Sequence, residues 1–143
     1  GRVDIKTICL LPNVLAYQGA LDAGADDAIL VKDGVAMEGA HQNFWAVIDG
    51  TAVTHPLTQA ILGGITRGVV LEIARENGIP VCERPIQVEE LFTAELFFTG
   101  TTNEVRPCVT VDGKPVADGK PGPVTRALSQ AFHKRVDKVK AGR

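Results

Sequence analysis

Apolar and polar residues recur with two different periods along the chain, which predicts a mixture of helices and strands. Three segments show the spacing of a helix that buries one face: residues 11–24, the stretch between Gly63-Gly64 and Asn77-Gly78, and residues 124–136 near the C-terminus. In the first of these, Pro12 suits an initial helical turn and Gly24 suits a helix end. The pattern therefore predicts three helices.

Short strand-like runs fill most of the remaining chain. Asp-Gly pairs, which are typical of two-residue hairpin turns, stand at residues 33–34, 49–50 and 112–113. The pattern predicts a meander over residues 27–31, 35–38, 44–48 and 52–54, then strands at 81–86, 95–99 and 105–111 with a short helix at 88–93. Helices mixed with hairpins indicate the α+β class with a largely antiparallel or mixed sheet.

Composition narrows the function classes. The chain has 143 residues, 45% apolar and 22% charged, as expected for one globular domain or at most two small ones. A net charge of −2 without a basic run gives no indication of nucleic-acid or acidic-membrane binding. Cys9, Cys82 and Cys108 form no CxxC pair and are expected to be buried thiols in a reducing, cytoplasmic setting.

Two turns are candidate anion sites. Gly63-Gly64-Ile65-Thr66 precedes a predicted helix, whose first amides have no intrahelical partner and carry the positive end of the dipole. The sequence allows either a phosphate cradle or a close turn that binds nothing. The second turn, residues 99–103, clusters hydroxyl and amide donors after an apolar strand, and could equally be capped by its own side chains.

Two ionisable residues are candidates for chemistry. Lys6 lies between apolar residues near the end of a predicted strand, where it is either solvated or held dry as a nucleophilic amine. Glu38 ends a hairpin strand, either as a surface residue or as a fixed anion below a cationic heteroatom. His41 has no second histidine at metal-ligand spacing, so we expect no metal site and favour a structural role for it.

A lysine, a glutamate and two phosphate-binding turns are together the components of a pyridoxal-phosphate site. In the order and the local sequence of its motifs the chain also resembles the C-terminal half of a class IV (fold type IV) aminotransferase. This group contains D-amino-acid and branched-chain aminotransferases and aminodeoxychorismate lyase. The resemblance extends over nearly the whole chain and rests on the segments DIKTICLLPNVLA, DDAILVKDGVAMEGAHQNF, ILGGITRGVVLEIARENGIPV, ELFFTGTTNEVRP and VDGKPVADGKPGPVTRAL.

The resemblance implies a role for each candidate residue. Lys6 would form the internal aldimine with pyridoxal 5′-phosphate and later move the proton, and Glu38 would face the pyridine nitrogen. Leu62 would pack on the cofactor ring. The residues that would hold the phosphate are Gly64, Ile65 and Thr66 at the helix start and Gly100 and Thr101 in the second turn.

The resemblance also implies what surrounds this chain. Residues 1–143 would be the cofactor-bearing C-terminal domain, with a mixed or barrel-like sheet and flanking helices, and the N-terminal substrate domain would be absent from it. The implied reaction is transamination between an amino acid, D- or branched-chain, and a 2-keto acid, in a homodimer. THP and EGxHxNF favour the D-amino-acid members. Two alternatives remain open: aminodeoxychorismate-lyase-type elimination, and an inactive fragment or a subunit that needs a separate N-terminal half.

Overall fold

A computed structural model describes residues 4–9, 13–40, 42–57, 64–100 and 104–141. Within these ranges the chain forms three helices and eleven strands. In chain order they are β1 (Asp4–Cys9), α1 (Asn13–Asp22), β2 (Asp27–Lys32), β3 (Val35–Gly39), β4 (Asn43–Ile48), β5 (Thr51–Thr54), α2 (Ile65–Glu76), β6 (Val81–Glu83), β7 (Ile86–Gln87), a 3₁₀ turn (Val88–Glu90), β8 (Glu95–Gly100), β9 (Glu104–Cys108), β10 (Thr110–Val111), β11 (Lys114–Pro115) and α3 (Pro123–Ala141).

The strands form two sheets. One has six strands in the order β11-β10-β1-β2-β3-β7, and the other has five in the order β6-β5-β4-β8-β9. Strand β1 pairs in parallel with both β10 and β2, and β5 pairs in parallel with β6, whereas the other pairs are antiparallel. The α+β class with mixed sheets is confirmed. Among the described strands neither sheet closes on itself, so the barrel-like alternative is not adopted.

One apolar cluster joins a face of each sheet. It includes Ile5 and Ile29 from the six-stranded sheet and Phe44 and Phe98 from the five-stranded sheet, all at most 1% exposed. The rings of Phe44 and Phe98 are 5.3 Å apart between centroids. Because successive strand residues point to opposite faces, these positions alternate with others that face the helices.

The helices cover the outer faces of both sheets. On the five-stranded sheet Trp45 and Phe97 stack at 5.3 Å between ring centroids and pack with residues of α2 and α3. On the six-stranded sheet Ala28 and Leu30 pack against Ala16 and Ala20 of α1. Strands β2, β4 and β8 are therefore buried on both faces, which explains their nearly continuous apolar runs.

The predicted hairpin turns are confirmed, but three strand predictions are wrong. Asp33-Gly34, Asp49-Gly50 and Asp112-Gly113 all have positive φ, as a type I′ turn requires. The predicted meander is broken, because β2–β3 and β4–β5 belong to different sheets. Residues 81–86 divide into β6 and β7, and residues 105–111 divide into β9 and β10, again in different sheets. A continuous apolar run does not show which sheet each half joins.

Burial differs from a simple interpretation of the apolar residues in α1 and at one cysteine. Among residues 15–22 of α1, Ala16 and Ala20 have no exposure, whereas Leu15 is 59% and Leu21 is 42% exposed. Of the cysteines expected to be buried, Cys108 is buried but Cys82 is exposed, because β6 lies at the edge of its sheet. The side chain of Cys9 lies outside the described part. Of the helices in the described residues, none combines the length and apolar character needed to cross a bilayer.

Candidate active site

Strand register places Lys6 and Glu38 on one face of the six-stranded sheet. Lys6 is opposite Ala28 of β2, and two residues further on Leu30 is opposite Glu38 of β3. Residues opposite each other in a ladder share a face, as do alternate residues of one strand. The two ionisable positions named from the sequence therefore lie on neighbouring rows of the same face, with one strand between them.

Glu38 is not a surface residue. Its side chain is half-buried, and its Oε2 atom is shielded from solvent. Removing a carboxylate from water is costly unless charge or hydrogen bonding compensates for it, so a glutamate held in this way is typical of a structural or functional site. A fixed carboxylate of this kind suits a cationic ring nitrogen.

The start of α2 has no anion from the described part of the chain. Gly64 is the N-cap, no side chain caps the helix, and the first turn contains no acidic residue. The first intrahelical bond runs from Gly68 N to Gly64 O at 3.3 Å, so the amides of residues 65–67 precede it. Unpaired amides and the positive end of a helix dipole together suit a phosphate group.

Asn43 ties this helix start to strand β4. Its Oδ1 atom accepts a hydrogen bond from Gly64 N at 3.2 Å, and a Cβ atom at Gly64 would lie 2.8 Å from the same oxygen. Asn43 is also paired in the sheet with Thr99, the residue before Gly100. The start of α2, the start of β4 and the end of β8 are therefore adjacent.

Gln42 lies in the turn between β3 and β4 and fixes it to Asp27 and to the end of β8. Its Nε2 atom donates to Asp27 Oδ2 at 2.7 Å, and Asp27 is a 3%-exposed residue that also accepts a hydrogen bond from its neighbour's amide. A Cβ atom at Gly100 would lie 3.0 Å from Gln42 Cγ. The backbone bond from Gly39 N to Gln42 O, at 2.8 Å, closes the turn that begins directly after Glu38.

The structure thus brings Glu38, Gly64 and Gly100 together around the turn between β3 and β4. Glu38 precedes this turn, Gly64 contacts it through Asn43, and Gly100 contacts it through Gln42. Of the other phosphate candidates, Ile65 is 88% exposed and Thr66 is buried at 9% exposure. Leu62, Thr101 and His41 lie outside the described residues, so their predicted positions stay predictions.

Sequence reasoning missed the polar side chains that hold the site together. Asp27, Gln42 and Asn43 had no role assigned to them from the sequence, yet each makes a hydrogen bond around the turn. A usable signal was present for Asn43, because an asparagine directly before an apolar strand seldom becomes buried unless its amide is paired. No cluster of His, Cys, Asp and Glu suited to a metal ion occurs in the described ranges.

These features suit pyridoxal phosphate, and comparison with known proteins points the same way. The family model described as "Amino-transferase class IV" matches residues 1–111. The chain is 40% identical over 136 residues to D-alanine aminotransferase of Bacillus licheniformis, covering 94% of this chain and 48% of that protein. It is 43% identical over 137 residues to D-alanine aminotransferase of Staphylococcus haemolyticus, covering 95% and 49%.

Solved structures agree in fold. The branched-chain amino acid aminotransferase of Escherichia coli superposes with a TM-score of 0.87 at 32% identity, covering 92% of this chain and 51% of that one. The T.th. branched-chain amino acid aminotransferase complexed with N-(5′-phosphopyridoxyl)-L-glutamate gives 0.83 at 30% identity, covering 91% and 50%. The chain spans about half the length of the relatives that it matches. On this evidence it belongs to the class IV aminotransferase family.

Proposed function

We propose that this chain is the cofactor-bearing part of a pyridoxal-phosphate-dependent aminotransferase that moves an amino group between an amino acid and a 2-keto acid. The observation that carries the proposal is the uncapped start of α2, which Asn43 joins to the turn that follows Glu38. A phosphate-binding element and a shielded carboxylate are thus adjoining parts of one site. Family membership and the aminotransferase activities for which the relatives are named support the same reaction.

The bound cofactor would supply an electron sink for the negative charge that develops on the amino acid's α-carbon. Lys6 would hold the cofactor covalently through its Nζ atom until the amino group of the substrate replaces it. The freed amine would then take the proton from the α-carbon of the amino acid and deliver it to the cofactor carbon to which Lys6 had been attached. This role needs the neutral amine, and a desolvated site next to other cationic groups favours that form.

Glu38 would keep a proton on the pyridine nitrogen. Its carboxylate is partly withdrawn from water, and a charge in such surroundings attracts a cationic N–H more strongly than it would in bulk solvent. The amides of Ile65 and Thr66 would bind the phosphate, helped by the helix dipole. Gly64 would not donate to the phosphate, since its own amide already donates to Asn43.

We favour a D-amino acid such as D-alanine as the substrate. The relatives named D-alanine aminotransferase share 40–43% of their residues with this chain, whereas the branched-chain enzymes of known structure share 30–32%. We assign recognition of the substrate carboxylate to the half of the relatives' length that this chain does not span. A homodimer in the cytoplasm is part of the same proposal.

The decisive experiment uses the complete protein with Lys6→Ala. Borohydride reduction of the wild type with pyridoxal phosphate should leave a pyridoxyl mass on the peptide that contains Lys6. Lys6→Ala should lose both this adduct and the transamination of D-alanine with a 2-keto acid. Lys32→Ala, at an exposed strand end, is the matched control and should retain both.

Two outcomes would contradict the proposal. Full turnover by Lys6→Ala would remove Lys6 from the reaction. Repeated turnover that releases pyruvate from aminodeoxychorismate with no keto acid present, together with no transamination of D-alanine when a keto acid is added, would instead indicate the lyase chemistry of the same family.

A further inference from the structure

Arg67 occupies a position that local helix rules disfavour. It is the third residue of α2, in the turn where the helix dipole is positive and a cation is unfavourable. It is nevertheless 3% exposed, and burying a guanidinium is costly unless its partners are well placed. Contacts with other parts of the fold must therefore stabilise Arg67 at this position.

The guanidinium joins the first turn of α2 to the ends of two strands. Its Nη2 atom donates to Glu83 Oε1 at 2.5 Å and to the carbonyl oxygen of His55 at 3.1 Å. Glu83 is the last residue of β6 and is paired with Thr54, the residue before His55. Both acceptors therefore lie at the same end of the β5–β6 pair.

The helix start is thus fixed on two sides. Asn43 holds Gly64 to β4, and Arg67 holds the opposite part of the same turn to β5 and β6. Because amides bind an anion well only when they converge on one point, two separate anchors would keep them converging without rearrangement on binding.

We infer that Arg67 is a positioning residue for the phosphate of the cofactor, an inference that rests on the proposed function. By tying the first turn of α2 to His55 and Glu83, it keeps the amides of Ile65 and Thr66 directed at one phosphate position. The Arg67 Nε–H is buried and has no partner among the described residues.

The test compares two ligands that differ only in the phosphate. Dissociation constants for pyridoxal phosphate and for pyridoxal are measured on the complete protein, as wild type, Arg67→Lys and Arg67→Met. In Arg67→Met we expect the preference for the phosphorylated ligand to fall about tenfold, the effect of losing about one charge-assisted hydrogen bond. The affinity for pyridoxal should stay within about twofold of wild type. Arg67→Lys keeps the positive charge but not the planar set of guanidinium donors, so its preference for the phosphorylated ligand should lie between those of wild type and Arg67→Met.

Glu83→Gln provides a variant that retains Arg67. It keeps an uncharged acceptor for the guanidinium, so it should fold even if Arg67→Met fails to fold. The preference for the phosphorylated ligand should fall by about threefold in Glu83→Gln. Arg84→Met is the matched control. Arg84 also pairs with a carboxylate, Glu90 at 2.9 Å, and their hydrogen bond lowers the pKa of Glu90. Among the described residues the side chain of Arg84 donates to Pro85 and Glu90 and to no residue of α2. Its ligand preference should equal that of wild type.

A merely structural role would give a different pattern. If the Arg67 variants and Glu83→Gln weakened both ligands equally, or kept the wild-type preference, the positioning role would be refuted while the cofactor assignment stood. If wild type attached no pyridoxal phosphate to Lys6, the proposed function itself would fail, and the inference would fail with it.

Discussion

At the scale of single residues, position 64 needs a glycine because of a contact with a neighbouring side chain, not because of its backbone angles. Its φ of −70° and ψ of 150° are open to any residue. The constraint is Asn43, whose Oδ1 atom would lie 2.8 Å from a Cβ atom at Gly64 and also accepts the Gly64 amide. A side chain at position 64 would have to displace the oxygen that fixes the helix start.

Gly64→Ala should therefore destabilise the protein, and Gly68→Ala should stabilise it. The first change breaks the Asn43 hydrogen bond and puts a poor residue at the N-cap, at a cost of about 1 kcal/mol in the free energy of unfolding. Gly68 lies inside α2, and a Cβ atom added there would have nothing within 4 Å, so alanine should add about 0.5–1 kcal/mol.

Urea denaturation of both variants measures the difference. If Gly64→Ala stabilised the protein as much as Gly68→Ala, the Asn43 contact would have no energetic role. A binding titration on the same samples should show weaker pyridoxal phosphate binding for Gly64→Ala alone. Gly68 lies after the amides at the helix start that lack an intrahelical partner, because its own amide already makes the first helical hydrogen bond.

Residue types and short sequence motifs predicted part of the candidate site, whereas the remaining contacts depend on segments that are distant in the sequence. Glu38 and the start of α2 could be named because a glutamate at a strand end and glycines before a helix are local signals. The roles of Asn43 and Gln42 depend on β4 meeting α2 and on the turn meeting Asp27. Such meetings are properties of the folded chain, and hydrophobic periodicity does not contain them.

At the scale of elements, the starts of α2 and α3 make an informative contrast. Thr125, in the first turn of α3, donates its amide to Glu95 Oε1 at 2.5 Å. Gly122, just before this helix, is so close to the Glu95 side chain that a Cβ atom would overlap it. The protein therefore supplies its own carboxylate to α3, whereas within the described residues α2 receives none. Of these two helix starts, that of α2 is therefore the one left to an external anion.

This arrangement predicts that Gly122→Ala and Glu95→Ala are not additive. Gly122→Ala should push the carboxylate away from α3 and cost about 1–2 kcal/mol in the free energy of unfolding, the range for loss of a helix cap. Glu95→Ala should cost a similar amount by removing the cap directly. In the double variant the overlap has gone, so adding Gly122→Ala to Glu95→Ala should cost about 0.5 kcal/mol or less.

Equilibrium unfolding of the two single variants and the double variant closes this cycle. Additive losses would mean that Gly122 and Glu95 act independently, against the contact seen between them. Pyridoxal phosphate binding should be unchanged in all three variants, which separates the capping of α3 from the site at α2.

Elements whose signal is local were the predictable ones. The Asp-Gly turns, the end of α1 near Gly24 and both ends of α2 were found because each is specified by a few adjacent residues. The predicted first turn of α1 at Pro12 lies outside the described residues. The division of residues 81–86 between two sheets was not found, although Pro85, which lacks a backbone donor, marks the break. Which sheet a short strand joins depends on the partners that are already present.

At the scale of the whole molecule, the candidate site exists only because the two sheets share a core. Glu38 belongs to the six-stranded sheet, whereas Asn43 and Gly100 belong to the five-stranded one. The packing of Phe44 and Phe98 with Ile29 holds these strand ends in one place. Resemblance to a family could name the residues, but strand patterning alone predicted one meander and thus a different arrangement around Glu38.

The last prediction concerns the 143-residue chain on its own. Three apolar clusters give it cores of its own, so we expect it to unfold cooperatively. It covers about half of its relatives, and Ile65, beside the proposed phosphate position, is 88% exposed. Water that reaches this position weakens each electrostatic contact to the cofactor.

The isolated chain should therefore bind pyridoxal phosphate about tenfold or more weakly than the complete protein, a loss of roughly 1.4 kcal/mol in binding free energy, and should transaminate nothing. Circular dichroism during urea unfolding separates weak binding from a failure to fold. Parallel titrations and D-alanine assays on the two proteins measure the rest. Detectable turnover by the isolated chain would show that residues 1–143 hold the substrate site as well, and our assignment of substrate recognition to the other half would then be wrong.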